Sequence, residues 1–85
     1  MKIYTYKGKK NLCGDRIRIE RLKKRMTQMK LAAKIQLQGI ILERDSISRI
    51  EIGTRFVTDY ELKLFAKVLN VTVDDLLEED DTMES

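Results

Sequence analysis

Within the six residues 44–49, Arg44, Asp45, Ser46, Ser48 and Arg49 carry hydrogen-bonding side chains, interleaved with Ile47 and followed by Ile50. An arginine presents a planar fork of donors, and a serine hydroxyl both donates and accepts. If the segment is helical, Ile47 and Ile50 stand one turn apart and grip it from behind. Arg44, Ser46, Ser48 and Arg49 are then left where they could face nucleotide base edges, in a groove wide enough to admit a helix. Other chemistries have few materials. The chain has no histidine and one cysteine, Cys13, so it offers no zinc ligand set, no metal site and no Ser/His or Cys/His couple. The carboxylates share no pocket with a plausible base. No catalytic residue and no cofactor is expected, and the chain does not read as an enzyme.

The elements that must position this segment are read from pattern, because the chain contains no proline and only four glycines. Residues 1–11 form a basic arm, with brief strand-like character around Ile3–Tyr6. Asn11 is a plausible N-cap for a first helix running to about Arg25. Its apolar residues divide between Cys13 and Ile17 on one face and Leu12, Ile19, Leu22 and Met26 on the other, so one face lines the core and the other needs cover. Thr27 caps a second helix from Gln28 to about Leu37, with Leu31, Ala32 and Ile35 as its buried stripe. The connector that follows contains Gly39 and tucks Ile40, Ile41 and Leu42 inward. A third helix spans about Arg44 to Glu51 and is closed by Gly53. Thr58 and Glu61 make a capping box for a fourth helix with Leu62, Phe65, Ala66 and Leu69 inside. Thr72 repeats that signal for a short fifth helix carrying Leu76 and Leu77. Residues 78–85, EEDDTMES, read as an acidic tail.

Eighty-five residues suffice for one domain, placed at residues 12–77. No apolar run exceeds three residues, Ile40–Leu42 among them, and Lys2 is followed by polar and tyrosine residues where a leader would be apolar. These features exclude a membrane span and, with a lone cysteine, fit the cytoplasm. Residues 1–34 hold twelve Lys/Arg against two acids, a balance of +10, whereas residues 35–85 hold five against twelve, −7; the halves sum to the net +3. A basic half joined to an acidic half suggests one side that faces a polyanion.

From Leu12 to Leu77 the sequence resembles the phage repressor/Cro-type helix–turn–helix proteins. The carrying stretches are RIRIERLKKRMTQMKLAAKI, DSISRIEIGTRFVTDYELKLFAKVLNV and TVDDLL. Within them stand Thr27-Gln28, Leu31-Ala32, Ile47-Ser48-Arg49-Ile50-Glu51 with Gly53, and Leu69-Asn70-Val71-Thr72-Val73. The resemblance implies an all-α, five-helix, repressor-like DNA-binding domain whose helix–turn–helix is formed by helices 2 and 3. It further implies a homodimer on double-stranded DNA carrying a palindromic operator. The connector over residues 36–43 is longer than the family's usual turn, Glu43 takes the place of a Ser or Thr cap, and Ile52 precedes Gly53 where a polar residue is common.

Carried onto this sequence, the family pattern makes Arg44 the first exposed recognition residue, with a bidentate pair to guanine O6 and N7 open to it. Ser46, Ser48 and Arg49 complete the outward set. Asp45 has two readings, an acceptor from cytosine N4 or an acid that stabilises the first helical turn. Gln28 takes the position whose amide holds a phosphate, Thr27 is its cap, and Thr54 and Arg55 follow Gly53 in the loop that meets the backbone. A second reading is a protein-interaction module, such as an antitoxin, with Leu12, Ile19, Leu22, Met26 and the acidic tail as its partner surface.

Overall fold

Thr27, Thr58 and Thr72 each stand immediately before a helix, with extended backbone, and each hydroxyl accepts the N–H three residues on: Lys30, Glu61 and Asp75. At the last two, the Glu61 and Asp75 carboxylates return the bond to the threonine N–H, completing capping boxes. These signals set three of the five helices. The computed structural model describes residues 5–79. In it α1 spans Gly14–Lys23, α2 Gln28–Leu37, α3 Arg44–Ile52, α4 Asp59–Leu69 and α5 Val73–Leu77. The fold is all-α as expected; among the described residues the only β-type pairing is the isolated bridge between Tyr6 and Lys9. Ile3 and Tyr4 of the stretch expected to be strand-like, and all of the acidic tail after Glu79, lie outside the described residues. No described helix is long and apolar enough to cross a membrane.

The core is built from all five helices: Ile17, Leu31, Ile35, Ile47, Ile50, Phe65, Leu69 and Leu76 are fully buried. Burying side chains of this size stabilises by about 1.5–3 kcal/mol each. Helix α3 lies against α1 and α2, while α4 lies against α2, α5 and α1. Gly14 permits the close approach of α1 to α3, because a Cβ there would run into the Ile50 carbonyl oxygen. Cys13 is part of this core, and burial pushes its thiol up to about 11.

Three local expectations are corrected. Helix α1 is shorter than the stretch from Asn11 to Arg25, and its N-cap is Cys13; the Asn11 side-chain oxygen still accepts the Gly14 N–H, at 2.7 Å, but the residue lies outside the helix. Met26 does not belong to the uncovered face, since the chain leaves α1 through Arg25 in the left-handed region and returns Met26 to the core. In the connector Leu42 is buried and Ile40 packs against the core, but Ile41 points to solvent.

Candidate nucleic-acid interface

Helix α3 begins at Arg44 without a side-chain cap from Glu43, leaving its first turn to Asp45 and the helix dipole. It ends where Gly53 enters the left-handed region at φ 86°, and Thr54 N–H closes on the Arg49 carbonyl at 2.9 Å. Ile47 and Ile50 are fully buried, as the helix division requires. Asp45, Ser48 and Arg49 lie on the arc opposite them, and the exposed Ile52 shares it. Arg44 stands at the flank towards α2, and Ser46 at the other flank, half-buried. The five sequence-predicted residues therefore do not form one even row. Arg49 and Asp45 are joined by a 3.2 Å ion pair across one helical turn, in the open.

Behind the helix runs a polar chain that sequence reasoning missed. Arg21 of α1 forks onto Glu51, with Nε 2.7 Å from Oε2 and Nη2 2.9 Å from Oε1, and both residues are buried. The remaining arm of the fork, Nη1, donates to the Met26 carbonyl at 2.8 Å. Hydrogen bonding to Glu51 holds the Arg21 guanidinium above its ordinary pKa, against the opposing effect of burial. Gln28 donates its amide N–H to Glu51 Oε1 at 3.0 Å, and its amide oxygen accepts from Arg44 Nη1 at 3.1 Å. Gln28 and Arg44, expected at a phosphate and at a base, are thus physically joined, and the buried pair fixes the amide that joins them. Gln28 retains a second amide hydrogen for a further acceptor.

The remaining predicted positions are engaged in the fold. Thr27 caps α2. The Thr54 hydroxyl donates to the Arg49 carbonyl at 3.3 Å. Arg55 forks onto Glu61, both bonds 3.1 Å, and donates to the Phe56 carbonyl, so it braces the loop between α3 and α4. Asn11 ties the same loop to α1: its amide donates to the carbonyls of Ile50 and Arg55, at 3.0 and 2.8 Å. Only a signal of type, a single amide side chain just before a helix, marked it in the sequence.

The P22 c2 repressor, solved in complex with a synthetic operator in the presence of Tl+, superposes on this chain with a TM-score of 0.68. The two are 27% identical, over 82% of this chain and 98% of the repressor. The chain has the phage-repressor helix–turn–helix fold. No protein-family model matches it, and no curated protein does. Within this repressor-type fold α2 and α3 are the helix–turn–helix pair. The longer connector is accommodated by burying Leu42 while leaving Ile41 outside, so α3 still starts at Arg44.

Proposed function

We propose that this protein is a small transcriptional regulator of repressor type that binds double-stranded DNA sequence-specifically, with α3 in the major groove. The observation that carries the reading is the division of α3: buried Ile47 and Ile50 behind, exposed Arg49 in front and exposed Arg44 at the flank towards α2, in a fold shared with a repressor solved on a synthetic operator. Arg44, Ser46, Ser48 and Arg49 are assigned to base edges, with Asp45 beside them. Gln28 and the start of α2, capped by Thr27, meet one phosphate, and the Thr54–Arg55 loop meets the next. A homodimer on a palindromic site, acting by occupancy in the cytoplasm, completes the proposal.

Selection of bound duplexes from a random pool, at two salt concentrations, tests it. One motif should emerge, with affinity falling steeply as salt rises. Arg44→Ala should erase the preference at one base position, a loss of about 1–3 kcal/mol of discrimination. Gln28→Ala should weaken every duplex and also blur that same position, because its amide oxygen holds Arg44. No motif, or binding indifferent to both Arg44 and Arg49, would overturn the reading. A protein-interaction module is the second reading, favoured by the exposure of Ile19 and Leu22 on α1 and of Leu12 just ahead of it; co-purification of a stoichiometric protein partner, with no selected motif, is its signature.

A further inference from the structure

Helix α2 has an outer face that no described residue covers. Its inner face is Leu31, Ala32 and Ile35, all buried. On the opposite side Met29, Ala33 and Leu37 follow one another at steps of four residues and form a stripe along the helix. Met29 is 70% exposed and Leu37 84%, and Ala33 between them is exposed too. Single apolar residues at a surface are ordinary, whereas a continuous apolar stripe marks a contact surface. The apolar residues at α1 are a weaker candidate: Leu12, Ile19 and Leu22 are each less than half exposed. The groove beside Leu12 and Ile19 also holds charges of both signs, Asp15 and Glu79 as well as Arg16 and Arg18.

Charge says what the α2 stripe fits. Lys30 and Lys34 run along one edge of it at the same four-residue step, and the helix carries no carboxylate. Neither lysine has an ion-pair partner among the described residues. At the end of the stripe Lys34, Leu37, Gln38 and Val68 of α4 line an open hollow of about 190 Å³. A second copy of this chain laid on the stripe would bring lysines together with no carboxylate to meet them.

We propose that the outer face of α2 is a docking site for an acidic amphipathic helix of another protein. Apolar side chains of that helix, at steps of three and four residues, seat against Met29, Ala33 and Leu37, and one enters the hollow beside Val68. The small Ala33 at the middle of the stripe lets the two helices approach closely. Carboxylates along one edge of the partner meet Lys30 and Lys34 and set its direction. The face is separate from the arc of α3 assigned to bases, so the inference does not rest on the DNA-binding reading.

Selection from a pool of helical peptides, with leucines fixed on one face and the flanking positions randomised, tests it on the full chain. The enriched peptides should carry Asp or Glu beside the leucines. For a peptide so obtained, Leu37→Ser should weaken binding about tenfold or more. Lys34→Glu should weaken it about three- to tenfold at low salt and less at high salt, while Ile19→Ser on α1 should change nothing. Enrichment of peptides without acids, no enrichment, or full affinity in Leu37→Ser would overturn the proposal. So would sedimentation showing that Leu37 holds two copies of this chain together. A loss of duplex affinity in Lys34→Glu, with no peptide enriched, would give the face to DNA and overturn it as well. None of the three positions is buried, so unfolding midpoints should match wild type and show that folded chains are compared.

Discussion

Helix α3 carries two arginine–carboxylate pairs on opposite sides, and they do different work. At its back, Glu51 meets Arg21 with side chains 2% and 9% exposed; at its front, Asp45 meets Arg49 with side chains 65% and 64% exposed. The rear pair is a two-point fork in which both carboxylate oxygens are bonded and Gln28 supplies an additional donor. The front pair is a single contact in water, worth a few tenths of a kcal/mol. The same chemistry thus serves to lock the helix on one side and to offer exchangeable charges on the other. Burial, not residue type, decides which.

The contrast breaks most sharply at Glu51. Removing one partner strands a charged guanidinium in the interior, so Glu51→Ala should cost about 3–5 kcal/mol in urea-melt stability. Replacing both partners together, Arg21→Met with Glu51→Leu, should recover most of that loss, because an apolar pair of similar volume needs no charge compensation. A loss below about 1 kcal/mol for Glu51→Ala would show that the pair is not locked. In the double variant Gln28 loses its anchor, so discrimination at the base position proposed for Arg44 should stay impaired although stability returns. A double variant that regains full discrimination would separate the buried pair from base reading.

Glu61 and Arg55 sharpen the comparison from between the two extremes. Burial pushes the Glu61 carboxyl up, but the Arg55 hydrogen bonds, the Thr58 N–H and the nearby guanidinium charge together outweigh it, and its pKa lies below the ordinary value. A carboxyl depressed in the folded state contributes stability that is complete above its unfolded pKa, about 4.3, and is lost as pH falls through the folded value. Glu61→Gln should therefore lower stability near neutral pH by about 1.5–3 kcal/mol. It should also flatten the decline in melting temperature below about pH 4 relative to wild type. Parallel acid profiles for the two proteins would refute the assignment.

These buried charges also mark the limit of what the sequence discloses. The helices, the threonine caps, the Gly53 closure and the isoleucine anchors follow from local spacing and are in place. Residue type does not mark Arg21 and Glu51 for the interior, because residues of their kind favour water, and the two partners lie 30 positions apart; Glu61 is legible as a capping-box residue but not as a buried one. A faint signal existed: Arg21 follows Ile17 by one turn, Glu51 follows Ile47 likewise, and Glu61 precedes Phe65 by the same step, each on a core stripe. The fate of the connector was harder to read. Three consecutive apolar residues cannot all turn inward in an irregular segment, and nothing local says that Leu42 is buried while Ile41 is exposed. Likewise Asn11 has the right type for a cap, but its role in holding the loop after α3 needs the distant carbonyls of Ile50 and Arg55.

The smallest effect decides between the two readings of Asp45. Asp45→Asn removes an exposed pair and one favourable charge from the first turn, so stability should fall by only about 0.5 kcal/mol. If Asp45 serves the helix and restrains Arg49, the substitution frees a guanidinium and removes a charge that repels phosphate. Affinity for duplexes of any sequence should then rise, with a steeper dependence on salt. If Asp45 accepts from cytosine N4, the same change should weaken binding at one position of the selected site and leave mismatched duplexes unaffected. The 3.2 Å contact with Arg49 favours the first outcome, since that contact already occupies the carboxylate on the side facing along the helix.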